Sequence, residues 1–200
     1  MRLTNFSEST WGFAALAEHE AELLESIAPA ADPAGCAGAQ RRLYQPPMED
    51  PSEEDESFLG DWEDFVTAEF RGEFAAAVAV VEADLKKLKP LVVDPEEMLE
   101  EEQAEQGNAF SLEIPVAHAE SWFSALNQAR LVLADRYRLF NSEGEEAISV
   151  SWEDDRPVAA VDAGAGNPHP PEERVHAYFK SQAFGFIQEW LVSNVLSRGL

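Results

Sequence analysis

The chain has 200 residues and a net charge of −25. That length suits one domain, and the charge opposes binding to phosphate backbones or to anionic membranes. The single cysteine, Cys36, rules out an internal disulfide and fits a reducing compartment. Its neighbourhood, Pro33-Ala-Gly-Cys-Ala-Gly38, reads as an unreactive loop thiol, because only Arg41 and Arg42 are cations close to it in sequence. The opening residues hold no apolar h-region, and the longest apolar run, Phe74 to Val81, is far short of the ~20 residues that span a bilayer. A cytoplasmic protein with no membrane and no nucleic-acid partner is expected. The acidity itself has two readings: plain solubility in an acidic proteome, or a surface for a basic partner.

Residues 1–15 read as extended or irregular. Leu16, Leu23, Leu24 and Ile27 then share a helical face, and Pro29 stops that helix. Residues 29–52 hold five prolines and two glycines and read as a long loop. From Ser52 the pattern turns helical, with Phe58, Leu59, Trp62, Phe65, Val66 and Phe70 forming an aromatic stripe that suits core packing. Gly72 is a place for a break or kink. The stripe resumes with Phe74, Val78, Val81, Leu85 and Leu88 and ends at Pro90. Asp94-Pro-Glu-Glu97 starts a short acidic helix that Gly107 ends.

Phe110 to Ile114 alternates like a strand, closed by Pro115. Ala119, Trp122, Leu126, Ala129, Leu133, Tyr137 and Phe140 then mark the clearest helix of the chain. Ala147 to Trp152 alternates as another strand, and residues 153–171 read as a second long loop. The last helix is expected from about Glu172 to Arg198, apolar on more than one face and therefore the most buried element. Together these elements predict a mainly α fold over a single domain, 1–200. It is a helical bundle of four to six helices with a small antiparallel β-sheet of two or three short strands, near 12–16, 110–114 and 147–152.

Motifs for chemistry fail one by one. His19-Glu20 has no second histidine four residues on, so no zincin pattern exists. Glu18, His19 and Glu22 share a helical face, but a solvated polar face explains them without a metal. His169 and His176 lack cysteine companions. Gly164-Ala-Gly166 runs into Asn-Pro rather than a helix, so it is no nucleotide cradle. The acidic tracts, Glu49 to Glu56 and Glu100 to Glu102, lack the ligand spacing of a calcium loop and read as solvated surface. Carboxylates are too many for the sequence to nominate a catalytic pair. No catalytic residue, no metal ligand and no cofactor is therefore expected.

Ser124 to Tyr137 is more specific. Asn127 and Arg130 lie one turn apart, and Arg130 is followed by two further arginines, Arg136 and Arg138. A guanidinium there either clamps an internal carboxylate, for instance a Glu of another helix, or holds an anionic ligand.

The same segment carries a family resemblance. Trp122-Phe-Ser-Ala-Leu-Asn-Gln-Ala-Arg-Leu-Val-Leu-Ala-Asp-Arg136 resembles a motif of an uncharacterised bacterial family, domain of unknown function two-zero-one-seven. Ala183-Phe-Gly-Phe-Ile-Gln-Glu-Trp-Leu-Val192 is similar to its C-terminal motif, and Glu20 to Leu24 and Arg41 to Pro46 to its N-terminal half. Asn127, Arg130, Arg136, Gln188 and Glu189 fall on motif positions without assigned roles. The resemblance implies a helical intracellular domain whose genes neighbour a Clp protease adaptor gene and a metalloprotease gene in some bacteria. It also brings a transcription-regulator label.

Three functions therefore compete. The leading one is a non-enzymatic protein-interaction domain, accessory to Clp-type regulated proteolysis, with the proteolysis machinery or a second copy as partner. The alternatives are a transcription regulator and a metal-dependent enzyme using acidic residues.

Overall fold

The computed structural model describes residues 1–46, 55–91, 109–140, 144–153, 156–161 and 168–199. Strand β1 (Arg2–Asn5) pairs antiparallel with β2 (Thr10–Leu16). Three short helices follow: α1 (Glu18–Glu25), α2 (Ile27–Ala31) and α3 (Ala37–Tyr44). Next come α4 (Glu56–Asp61), a π-helical turn (Trp62–Thr67) and α5 (Ala68–Leu85). The two-residue β3 (Lys89–Pro90) and β4 (Phe110–Pro115) lead through a 3-10 turn (Val116–His118) into α6 (Ala119–Arg136). A hairpin of β5 (Ile148–Glu153) and β6 (Arg156–Val161) precedes α7 (Pro171–Asn194).

The fold is mainly helical with two small antiparallel sheets, one of four strands in the order β1-β2-β4-β3 and one of two. Alternation sets the first. Leu112 and Ile114 of β4 point inward and Glu113 outward, and β2 answers with Trp11 and Phe13. Trp11 packs edge-on to Trp122 of α6 at 5.6 Å between ring centres, with Phe13 5.8 Å from the same indole. Such aromatic pairs contribute about 0.5–1.5 kcal/mol each beyond the area they bury. Sheet and helices thus share one apolar core.

The central element is α6, which packs against α2, α3, α5 and α7. Its small residues Ala119, Ala125, Ala129 and Ala134 are all buried and let those neighbours approach. The expectation that the last helix is the most buried element fails. Phe179 and Phe186 of α7 are 43% and 54% exposed, because α7 packs along α6 with one face and leaves another open.

Other departures have local causes. Pro29 does not end a helix but sits in the first turn of α2, where its missing N–H costs nothing. The stretch 29–52, expected as loop, forms α3 from Ala37. The aromatic stripe does not reach the core: Phe58 is exposed and Phe65 is 71% exposed. The stripe packs along itself instead, Trp62 meeting Phe58 and Phe70, and Phe70 stacking on Phe74, across the π turn at Trp62–Thr67. Gly72 causes no break, since α5 runs straight through it. Two of the expected strands do pair, β2 with β4, but the third, β5, pairs with β6 in a hairpin of its own. That hairpin lies partly within 153–171, expected as loop. The expected acidic helix at 94–107, Glu49 to Glu54, Glu100 to Glu102 and Gly164 to Gly166 lie outside the described residues.

Candidate functional site

Three places gather polar or exposed groups. The first is the seam made by the motif residues. Arg130 Nη1 donates to Gln188 Oε1 at 2.7 Å, and Gln188 Nε2 donates to the Phe123 carbonyl at 3.0 Å. The guanidinium lies over Gly185, where a Cβ would come within 3.3 Å of Arg130 Cζ. The partner of Arg130 is thus a buried neutral amide rather than an acid. Arg136 donates from Nη2 to the Asp32 carbonyl at 2.9 Å and from Nε to Cys36 Sγ at 3.3 Å. Asp135, next to it, places its carboxylate against Gly38 at the start of α3, where a Cβ would overlap it. So Arg130 with Gln188 joins α6 to α7, and Arg136 joins α6 to the α2–α3 connection. Asn127 and Glu189 are exposed beside that seam and are not brought into it.

A further arginine belongs with these. Arg174 is buried on α7 and donates to the carbonyls of Tyr137 and Arg138 at 3.2 and 3.1 Å, at the C-terminal end of α6. A cation is favoured there by the helix dipole and by the carbonyls that the last turn leaves unpaired. Sequence reasoning missed it, because Arg174 lies among ordinary acidic first-turn residues of α7.

The second place is Asp84, fully buried near the end of α5. Its Oδ2 accepts from Trp122 Nε1 at 3.1 Å and meets His118 Nδ1 at 2.8 Å, while Oδ1 accepts from Lys87 Nζ at 2.7 Å. Burial pushes this carboxyl upward. The bonds from Lys87, His118 and Trp122, with the charge of His118, outweigh it and hold the pKa below the usual aspartate value. A carboxylate that orients an imidazole is half of a general-base device. The other half needs a hydroxyl or thiol on the imidazole, and among the described residues none hydrogen-bonds His118. What the cluster does is tie α5, the 3-10 turn and α6 together at one point.

The third place is a cleft of about 440 Å³ between α1 and α7. His19, Glu22 and Leu23 form one wall, and His176, Phe179, Lys180 and Ala183 the other. His19 and Glu22 therefore come near His176, a grouping that sequence spacing could not show. Among the described residues, however, no three His, Cys, Asp or Glu side chains converge closely enough to hold a metal ion.

These features define a mainly helical domain whose sequence motifs form interhelical clamps and whose open cleft lies to one side. The chain belongs to the family described as Domain of unknown function (DUF2017), whose model matches residues 6–195. Comparison with curated proteins and with solved structures found no match. No described helix is long and apolar enough to cross a membrane.

Proposed function

We propose that the protein is a non-catalytic protein-interaction domain that binds through the cleft-side face of α7. One observation carries this reading. Phe179 and Phe186, two turns apart on α7, are 43% and 54% exposed beside the cleft, with the half-buried Ala183 between them. Scattered exposed apolar residues are ordinary, but aromatic side chains lined up on one helix beside a cleft are what a partner surface requires. The arginines of the family motifs support the same reading, because Arg130 and Arg136 are engaged in bonds between elements. That use leaves them poorly placed to read DNA, and no observation favours the transcription-regulator alternative. The metal-enzyme alternative needs converging ligands that the described residues do not supply.

The narrower reading, an accessory to Clp-type regulated proteolysis, is supported by the family resemblance. It makes purified Clp-type unfoldase and its adaptor the first partners to test. Surface-immobilised protein should retain one of them, and the double variant Phe179→Ser, Phe186→Ser should lose it. Equal retention by both forms, or none by the parent protein, would count against the reading.

A further inference from the structure

We infer that the cleft between α1 and α7 receives the apolar face of a basic amphipathic helix from a partner protein. The inference rests on the interaction reading above and adds the partner's chemistry. Both walls are helical faces. His19, Glu22 and Leu23 stand at i, i+3 and i+4 on α1, and His176, Phe179, Lys180 and Ala183 at i, i+3, i+4 and i+7 on α7. A peptide that docks as an added strand needs a sheet edge, and helical walls offer no free backbone ladder for it. A third helix laying apolar side chains between two helical ridges is the geometry they do offer. The cleft volume of about 440 Å³ suits a few anchoring side chains rather than a whole domain. Leu23, Phe179 and Ala183 supply the apolar lining, and Phe186 extends it by about one turn.

Charge selects the partner's sign. Glu22 is the one carboxylate of the described lining, and Glu18 and Glu25 flank it on the exposed surface of α1, which carries no Lys or Arg. Lys180 balances Glu22 within the described lining, so the negative excess comes from the α1 flank and from the chain as a whole. With −25 over the chain, a second copy would be repelled and a cationic helix drawn in.

The test uses the full chain and three labelled synthetic peptides followed by fluorescence anisotropy. The first carries leucines at helical spacing and lysines on its other face. The second has the same composition in scrambled order. The third keeps the leucines and replaces lysine by glutamate. The expected result is that the first binds at least about tenfold more tightly than the second and third. That binding should weaken about tenfold in Phe179→Ser, Phe186→Ser, whose helicity is confirmed by circular dichroism. The triple change Glu18→Gln, Glu22→Gln, Glu25→Gln, which leaves the apolar walls intact, should weaken it too. Equal binding of the scrambled peptide means unspecific charge attraction and overturns the inference. Preference for the glutamate peptide overturns the stated chemistry while leaving the interaction face standing. No peptide binding together with a dimer by light scattering makes a second copy the occupant, and also overturns it. No binding by a monomer overturns it as well. The interaction reading itself falls separately, if the cleft variants retain every partner as well as the parent does.

Discussion

Asp84 shows what a single buried carboxylate contributes. Its two oxygens take three donors from three directions. Asp84→Asn removes the charge and turns an amide N–H₂ toward one of those donors. The expected loss is about 2–4 kcal/mol in urea unfolding at neutral pH. Lys87 is half exposed, so Lys87→Ala should cost no more than about 1 kcal/mol. The sign with pH follows from the shift. The folded pKa lies below the ordinary value, so this stability is fully present above the ordinary carboxylate pKa. It is lost as pH falls through the folded one. The gap between parent and Asp84→Asn should therefore close as pH falls below about 5. A gap that widens toward acid would contradict the assignment. The sequence could not reveal this group. Asp84, His118 and Trp122 are spaced by 34 and 4 residues, and each looks ordinary on its own helix face. The same holds for Cys36, whose nearest cation in sequence was Arg41, while the contact is made by Arg136 from the other side of the fold.

At the level of elements, two positions hold pieces in register. Gly12 lies in β2 with φ +151, and a Cβ there would overlap the Leu112 carbonyl of β4. Gly12→Ala should cost about 2–4 kcal/mol or prevent folding, read by denaturant midpoint or by loss of soluble protein, because the obstacle is backbone that cannot swing aside. Arg174 couples α7 to the end of α6, and Arg174→Met keeps the stem but strands two carbonyls. A loss of about 2–3 kcal/mol in thermal or urea unfolding is expected. The elements most legible in sequence were those with sustained periodicity. Phe110 to Ile114 alternates because β4 has one face on the core, and α6 shows its three- and four-residue steps because neighbours surround it. Those missed were short. α3 is eight residues in a Gly- and Pro-rich stretch, and β6 is six residues held by its hairpin partner and by the packing of Ala159 and Val161 on the core. Composition outweighed packing in both places. The π turn was invisible because its residues fit an α-helical stripe, and the register changes only through hydrogen bonding. Arg130 and Gln188, both named through the family resemblance, meet in the fold, but the sequence did not pair them, and a neutral amide stands where an acid was expected.

For the whole molecule, the charge of −25 sets a constant opposing term. Carboxylates repel one another more in the compact state than in the extended chain, and salt screens them. The melting temperature should rise by a few degrees between roughly 0.05 and 0.5 M sodium chloride. A fall would mean that attractive ion pairs dominate instead. The helix that joins the parts is α6, through its clamping bonds to the α2–α3 connection on one side and to α7 on the other. Cys36 sits at one such clamp, buried and alone in its chemistry. It is therefore a built-in clock. A thiol reagent reaches it only when the α3–α6 contact parts, so the labelling rate counts those openings. Arg136→Ala should quicken the clock and Arg130→Ala should change it less. The ratio between them measures how far a disturbance on one side of α6 is felt on the other.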